Sequence, residues 1–590
     1  MTEAPRSFAH DDGNLVVDAQ GRLAHRGMFE QSRRLVRQLY AVGDSAWCLV
    51  GNGLSNQSFV RGPEGIIAID TGESVEEMRA ALVELRSVTP EPIVAVLYTH
   101  FHYVQGTQAV LEDRERMGLP PSVPVHGHER IAANLARTAA AIGPTYSRGL
   151  VEQFGTRLPA DGPDGLVNVG LGLAYRNAEH APFTLGHLPV SRPFSAATTL
   201  HVAGLRVDVQ PAPSDADDSV TFWFPSLKLA VHNIVWPVLF NVFAIRGEEY
   251  RDPQVLLTGI DHLLGLDAEH LIAAHGPPMS DGREIRSRVT KYRDAIQFLW
   301  DQTVRHTNAG ASSVDLAHLV RLPEEFDDDF ITTQYYGVVE HHARQIRSGL
   351  FGFFDGDPVN LFPLPRTERA NRLIKAMGGV DAVRAACSAT KESDPRWALE
   401  LAGLLAAGGT ADESDGRLLA EVLRVIARRT TAANIRNWCL TRAREADGSL
   451  DTARLYQHRW SRRQLAAWGL RTTLEVLRVT LVPERARGVD VRLELVVSEE
   501  SAVLHVRNSV AFVGDSGADR SGVADRGEGV SATARVALDR PTWLDIMSGT
   551  LPWASAVAAG RVTIDGSADR VAAAWQVFDH PALSAMTPSR

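Results

Sequence analysis

Cysteine is scarce in this sequence: its 590 residues include three, Cys48, Cys387 and Cys439, which lie far apart and lack Cys-x-x-Cys spacing. A disulfide framework and a thiolate zinc site are therefore excluded. Basic residues are not in excess, since the formal net charge is -10, and no basic stripe carries interleaved aromatics. Nucleic acid is not an expected partner. An apolar run of about 18 residues is also missing, as is an N-terminal signal-peptide core, so we expect a cytoplasmic chain without membrane insertion.

The composition that remains is that of a globular protein, with 44% hydrophobic and 22% charged residues, and the length predicts several domains. From about residue 46 to 276, short β-branched runs alternate with amphipathic stretches, which indicates a layered α/β domain. Helical spacing dominates from about 284 to 445, and strand patterns return after about 460. The segment Gly514–Gly527 has few apolar residues and is predicted to be a mobile loop.

The most informative motif is the pair His100 and His102, which follows the hydrophobic strand predicted at residues 92–98. Residues two apart in an extended chain point to one face, so both imidazoles can bind the same metal ion. Gly106 and Thr107 supply the turn after the pair. The motif therefore predicts a metal site at the end of a strand.

This motif resembles the metal-binding loop of the metallo-β-lactamase fold, His-x-His-x-Asp-His, with Val104 in place of the Asp and Gln105 in place of the last His. Other phrases resemble the alkylsulfatase branch of that superfamily. In the first half of the chain, the similar phrases are residues 51–58 and 69–73. Three phrases are similar to the family's dimerisation domain: residues 334–337, 353–361 and 363–365. Two are similar to its sterol-carrier-protein-like domain: residues 543–549 and 560–566.

The resemblance implies an α/β fold class with three domains. Residues 1–285 would form an αββα metallo-β-lactamase sandwich, residues 286–450 an all-α dimerisation domain, and residues 451–590 an α+β sterol-carrier-like domain. It also implies a homodimer.

For the metal, the resemblance implies the ligands His100, His102, Asp215 and His232, with Asp217 or Asp218 as alternatives to Asp215. Of the residues that would bind a second metal, only His275 is present. Its role stays open between a ligand, a hydrogen-bond donor to a ligand and a structural residue. Two divalent ions repel each other unless several carboxylates offset their charge, and the shared acid is here a histidine. We therefore expect one divalent metal per chain, zinc first, with iron and manganese compatible with the same donors.

For the substrate, Arg246 matches the family arginine that binds sulfate, and its planar fork of donors suits a tetrahedral anion. Tyr335, with Tyr336, Trp236 and Phe240, would line an apolar channel or belong to the core.

Arg246, Tyr335 and His275 are the predicted catalytic residues. The sequence thus predicts a metal-dependent hydrolase acting on a sulfate ester, or a related anionic ester, of an apolar alcohol, so that the substrate is small, anionic and apolar or amphipathic. Two alternatives stay open at this point: a mononuclear non-haem iron redox enzyme on the same scaffold, and a ligand-binding homologue without catalysis.

Overall fold

The structure is a computed structural model that describes residues 7–9, 11–139, 142–453, 460–515 and 533–583. The chain divides into two compact units. The first unit comprises Met1–Ala132 and Gly149–Asp451, and the second comprises Ala133–Arg148 and Thr452–Arg590.

The first unit begins with a hairpin and a helix, followed by a sheet in the order β3-β4-β5-β6-β7-β8-β9 with helices between its strands. The bounds are β1 Leu15–Val17, β2 Leu23–His25, α1 Arg26–Arg34, β3 Gln38–Val42, β4 Ala46–Val50, β5 Gln57–Gly62, β6 Gly65–Ile69, α2 Val75–Val88, β7 Ile93–Leu97, α3 Gln108–Arg116, β8 Val125–His128 and β9 Arg192–Phe194. Two more helices precede β9 in the chain, α4 Ile131–Ala139 and α5 Gly143–Gln153, and most of their residues belong to the second unit. Strands β6 to β9 are parallel, so their carboxyl ends meet at one edge of the sheet.

A second sheet runs in sequence order from β10 to β15. Its bounds, with one helix, are β10 Thr198–Val202, β11 Leu205–Pro211, β12 Val220–Phe224, β13 Leu229–His232, α6 Pro253–Leu264, β14 His270–Ala273 and β15 Met279–Ser280. Side chains alternate along β13: Leu229 and Val231 enter the core between the sheets, whereas Ala230 faces the helical side.

The two sheets pack face to face around a shared apolar core that includes Ile67, Leu97, Phe222 and Ile272. Helix α2 packs on β4 and β5, while α7, Gly282–Asn308, packs on β14 and β15 of the other sheet. This is the predicted αββα sandwich, and the predicted fold class is confirmed.

Helices fill the rest of the first unit. They are α8 Ser313–Leu319, α9 Val339–Phe351, α10 Arg366–Ala376, α11 Val380–Thr390, α12 Pro395–Ala407, α13 Glu413–Arg429 and α14 Ala433–Ala446. Ser312 and Asp412 each begin a helix with a capping box, in which the cap side chain and an acid three residues later satisfy each other's backbone N–H. These two caps fix where α8 and α13 begin.

The second unit is α+β, with a sheet in the order β18-β17-β16-β19-β20. Its elements are α15 Arg462–Ala466, α16 Leu470–Arg478, α17 Pro483–Ala486, β16 Val491–Val497, β17 Glu500–Arg507, β18 Val510–Asp515, β19 Ala534–Leu538, α18 Arg540–Met547, α19 Trp553–Ala558, β20 Val562–Gly566 and α20 Ala568–Gln576. Trp543 and Trp575 are fully buried in its core. Of the segment predicted to be a mobile loop, the part after Asp515 lies outside the described residues.

Among the helices that the structure describes, none combines the length and the apolar composition needed to cross a membrane.

A substitution at Phe222 tests the packing of the sandwich core, because its side chain has no exposed surface and lies between the two sheets. Phe222→Ala should lower the free energy of unfolding by about 3–5 kcal/mol, because it leaves a cavity that a close-packed core fills poorly. Val83→Ala, on the exposed face of α2, is the control and should change it by less than about 0.5 kcal/mol. Urea unfolding of both variants measures the difference; equal effects would contradict the packing described.

Candidate metal centre

The histidine pair lies at the carboxyl ends of the parallel strands β6 and β7. After β7 the chain enters a short 3-10 turn at Phe101–Tyr103, and this turn is bonded to the loop that follows β6. Thr71 donates its N–H to the Tyr103 carbonyl at 2.8 Å, and Gln105 donates its N–H to the Gly72 carbonyl at 3.0 Å. Two backbone hydrogen bonds therefore hold both strand-end loops in a fixed relation.

His100, His102 and Asp215 come together in a buried cluster whose potential ligand atoms all lie within 4.8 Å of one another. Oδ2 of Asp215 is 3.5 Å from Nε2 of His100 and 2.8 Å from Nδ1 of His102. Neither ring nitrogen of His102 has hydrogen-bond geometry with any described residue. Buried polar atoms need a partner, and two imidazoles with one carboxylate are donors that zinc, iron and manganese accept. The residues present fit a divalent metal.

The tautomer of His100 is fixed by its neighbours. Thr99 donates its hydroxyl proton to Oδ2 of Asp70 at 2.6 Å, so its oxygen can only accept from Nδ1 of His100, 2.9 Å away. Nδ1 therefore carries the proton, and the lone pair on Nε2 points to the cluster. This is the usual arrangement in which a second residue orients a histidine for a metal.

His102 has an ion-pair partner in Glu248, which the sequence reasoning missed. Oε1 of Glu248 lies 3.6 Å from Nε2 of His102 and accepts a hydrogen bond of 3.0 Å from Arg246. Burial opposes its charge, but Arg246 and His102 outweigh burial and lower the pKa of Glu248 to about 2. Its position two residues after Arg246 is the signal that could have found it. With Glu248 on Nε2, the nitrogen directed at Asp215 is Nδ1.

The protonation of His102 follows from the same two acids. Burial acts against the charged ring, but Asp215 and Glu248 outweigh it and raise the pKa of His102 to about 9. A proton and a divalent ion therefore compete for this ring.

Arg251 neutralises Asp215. The guanidinium pairs with Oδ1 of the carboxylate, donates to the Asn241 carbonyl at 2.7 Å, and lies over the Trp236 and Phe240 rings at 5.8 Å. Burial raises the pKa of Asp215, but Arg251 and then His102 hold it well below its usual range. One oxygen of Asp215 thus accepts from Arg251, and the other faces the imidazoles of His100 and His102.

The structure does not bring His232 into this cluster. Nδ1 of His232 accepts the N–H groups of Ile234 and Val235 at 3.1 and 3.3 Å, as a residue turning the chain at the end of β13. The next residue, Asn233, lies beside the cluster instead, with Nδ2 3.2 Å from Nε2 of His100 and Oδ1 accepting from Trp236. Asn233 therefore lies beside His100, because the chain leaves the strand there and the alternation of side chains ends. Asn233 carries no negative charge.

Around His275, the described residues hold no second metal cluster. Nδ1 of His275 donates to the Leu54 carbonyl at 3.0 Å, so Nε2 is the acceptor for the Tyr103 hydroxyl at 3.2 Å. Burial lowers the pKa of His275 to about 4, which keeps the ring neutral. Val104 is completely buried and pairs with Gly72. His275 is thus held by Tyr103 and Leu54.

The two neighbouring tyrosines have separate positions. Tyr335, predicted to be catalytic, donates its hydroxyl to Glu30 at 3.3 Å, away from the cluster. Tyr336 is buried instead: its hydroxyl accepts from Gln153 at 2.8 Å, and its ring is 6.1 Å from Trp236. Burial raises the pKa of Tyr336 while Arg246 and Arg251 act against the increase, which places both arginines near it. Tyr336 is therefore the tyrosine on the side of the site.

Comparisons with known proteins agree with this architecture. Residues 50–103 match the family model described as metallo-beta-lactamase superfamily, residues 312–448 that of alkyl sulfatase dimerisation, and residues 460–584 that of alkyl sulfatase C-terminal. A linear primary-alkylsulfatase from Pseudomonas sp. (strain ATCC 19151) is 31% identical over 527 residues, which span 86% of this chain and 96% of the relative. The chain belongs to the alkylsulfatase family. The predicted resemblance is confirmed, and membership identifies an enzyme of the hydrolase class.

Two further proteins are similar to this alkylsulfatase-family member along most of its length. An (R)-specific secondary-alkylsulfatase from Pseudomonas sp. is 26% identical, over 92% of this chain and 80% of the relative. The solved structure of the stereoselective inverting sec-alkylsulfatase Pisa1 from Pseudomonas sp. is 24% identical with a TM-score of 0.80, covering 96% of this chain and 88% of that one. The latter shows a shared fold. Divalent metal binding is implied by the superfamily.

Glu248→Gln should weaken zinc binding about 10- to 100-fold, because residues that orient a metal-binding histidine typically contribute that much. Titration of metal-free protein with zinc measures it. The control is Glu413→Gln, at a side chain that is 91% exposed, and it should leave the affinity unchanged. Equal zinc affinities for the two variants would contradict a role of Glu248 in metal binding.

Proposed function

We propose that this protein hydrolyses the sulfate ester of an apolar alcohol at a mononuclear centre, with one divalent metal per chain, zinc first, held by His100, His102 and Asp215. The buried three-residue cluster is the observation that carries the proposal. It is supported by the relatives, whose names are linear primary-alkylsulfatase and secondary-alkylsulfatase.

Charge favours one metal and an anionic substrate. Asp215 is paired with Arg251 and Glu248 with Arg246, so these buried carboxylates and guanidiniums cancel one another. A bound divalent metal supplies two positive charges that polarise a sulfate oxygen or lower the pKa of a bound water. Because the surrounding carboxylates are already paired with arginines, the charge of a bound metal would act on the substrate anion and on a bound water. Asn233 and Val104 offer no carboxylate that would offset a second ion.

The side chains around the cluster have separate tasks. Glu248 holds the ring of His102, and the Thr99–Asp70 pair holds the ring of His100. Arg246 and Tyr336, on the same side of the site, supply guanidinium N–H donors and a hydroxyl for the sulfate group.

We propose that the apolar alcohol of the substrate packs against aromatic rings near the cluster. The Phe101 ring is centred 4.0 Å from the ring of His102, and Trp236 is 5.4 Å from His275. Trp236 also packs on Phe240 at 4.4 Å. Such rings offer large apolar contact areas.

We also propose a homodimer, in which a second copy of the chain covers an exposed apolar segment, residues 350–364. Phe353 and Phe362 are 83% and 84% exposed there. Large exposed apolar patches mark interaction sites. The segment lies within residues 312–448, which match the alkyl sulfatase dimerisation family. For location we propose the cytoplasm, since Cys48, Cys387 and Cys439 are all free thiols, as in a reducing compartment.

His100→Ala and His102→Ala should each lose stoichiometric metal and at least about 100-fold in kcat/KM for decyl sulfate, because each removes a ligand. Elemental analysis of protein purified without added metal, followed by sulfate-release assays, measures both. The exposed His201→Ala is the matched control and should retain one metal and full activity. Stoichiometric iron with oxygen uptake and no sulfate release would contradict the hydrolase and favour a redox enzyme.

A double variant, Phe353→Ser with Phe362→Ser, should shift the protein towards a monomer, because it removes the two most exposed aromatic contacts of the segment. Light scattering across micromolar concentrations measures the shift. Val83→Ser, at an exposed valine on α2, should leave the mass unchanged. A wild-type protein that is monomeric at those concentrations would contradict the dimer.

A further inference from the structure

Gln153, the last residue of α5, is a fully buried polar side chain in the first unit. Its Oε1 accepts the backbone N–H of Arg246 at 3.3 Å, and its Nε2 donates to the Tyr336 hydroxyl at 2.8 Å. Arg246 and Tyr336 belong to different segments of the chain, and both are proposed to bind the sulfate group. One amide group therefore joins the two sulfate contacts.

The end of α5 lies directly against the backbone of Arg246. A Cβ added to Gly149 would lie 2.7 Å from the Arg246 carbonyl oxygen and 2.8 Å from its Cα, so glycine is needed for this close approach. Gln153 follows one helical turn later, and residues four apart lie on the same face of a helix. Phe154, the next residue, has its ring centre 5.8 Å from the guanidinium carbon. Close packing thus fixes Gln153 beside Arg246.

The orientation of the Gln153 amide follows from its two partners. A backbone N–H can only donate, so the atom that faces the Arg246 nitrogen is the amide oxygen. The NH2 group is then the one beside Tyr336, and it can only donate as well. The Tyr336 oxygen is therefore the acceptor in this pair, and its own proton points away from Gln153.

The ring of Tyr336 is packed tightly, so its oxygen has a fixed position. A Cβ on Gly170 would lie 2.6 Å from that ring, and the centre of the Trp236 ring is 6.1 Å away. Rotation of the hydroxyl is the freedom that remains, and Gln153 restricts it. Among the residues that the structure describes, none accepts the Tyr336 proton. A buried donor needs an acceptor, which points to a ligand that is not part of the chain.

Tyr336 is connected to the metal cluster by direct contacts. Trp236, which packs on its ring, donates its indole N–H to Oδ1 of Asn233 at 3.2 Å. Nδ2 of Asn233 lies 3.2 Å from Nε2 of His100. The phenol is therefore held on the side of the cluster where His100 lies.

Arg246 is connected to the cluster from another direction. Its guanidinium donates to Oε1 of Glu248 at 3.0 Å, and the same oxygen lies 3.6 Å from Nε2 of His102. Gln153 thus links a residue that leads to His100 with a residue that leads to His102.

We propose that Gln153 is a positioning residue for sulfate binding: it holds the Tyr336 hydroxyl so that the proton is directed at a sulfate oxygen, beside the guanidinium of Arg246. This rests on the proposed hydrolysis of a sulfate ester. Tyr336 makes the contact with the substrate, whereas Gln153 acts through Tyr336 and transfers no proton. A donor that already has its direction does not reorient when the anion binds, which favours binding.

The test is a double-mutant cycle in the metal-loaded full-length protein, with decyl sulfate as substrate and inorganic sulfate as inhibitor. Gln153→Met keeps the length of the side chain and removes the amide. It should raise KM and the sulfate inhibition constant about 3- to 10-fold, the effect of losing one hydrogen bond. Metal content and kcat should stay unchanged, because the lost contact is made equally in the ground state and the transition state. In a Tyr336→Phe background, Gln153→Met should change both constants by less than about 2-fold, because its effect passes through that hydroxyl.

A second variant, Gln153→Glu, keeps an acceptor for the Arg246 N–H and replaces the NH2 donor with a carboxylate oxygen. The Tyr336 proton then turns to that oxygen, so both constants should rise more than they do in Gln153→Met. Gln20→Glu, at an exposed turn, introduces the same charge and is the control; it should leave both constants unchanged.

Two outcomes would overturn the role of Gln153 alone: equal effects of Gln153→Met in the wild-type and Tyr336→Phe backgrounds, or a loss of metal or kcat with KM unchanged. Thermal unfolding of each variant identifies misfolding. If Gln153→Met does not fold, Gln153→Glu decides, and sulfate binding by it equal to that of wild type would overturn the role. Wild-type protein that neither hydrolyses decyl sulfate nor binds sulfate would overturn the proposed function, and this role with it.

Discussion

The arrangement of the site depends on one shared carboxylate. Asp215 gives one oxygen to Arg251 and turns the other to His100 and His102. Because Arg251 is itself held by the Asn241 carbonyl and two aromatic rings, the direction of the second oxygen is fixed before any metal arrives. The imidazoles are oriented from behind by Thr99 and Glu248. Preorganisation of this kind reduces the entropy that a ligand set loses when it closes on an ion.

The same carboxylate explains why the centre differs from the pattern of its superfamily. Burying ionised groups is tolerated when each is paired, and the pairs Asp215–Arg251 and Glu248–Arg246 meet that condition within the chain. Neutral Asn233, Val104 and the Tyr103–His275 bond occupy the region where further anionic ligands would be needed. Arginine therefore balances the buried carboxylates of this site.

Much of this architecture could be predicted from the sequence, because β-branched runs, helical spacing and the His-x-His spacing are local signals. The sandwich, the helical region and the α+β unit follow from them and from the family phrases. Positions fixed by distant contacts could not be predicted: Asn233 beside His100, Tyr336 on the side of the site, and the place of Glu248. Adjacent residues such as Tyr335 and Tyr336 make different contacts, and only the surrounding elements decide which one lies on the side of the site.

The hydrogen bond between Tyr103 and His275 limits how this centre could change during evolution or by engineering. Restoring the missing ligands at Val104 and Gln105 would supply an acid and an imidazole, yet His275 would still have its lone pair committed to the phenol. A third substitution, at Tyr103, would have to come first or at the same time. A change at Val104 or Gln105 alone would therefore leave His275 bonded to Tyr103.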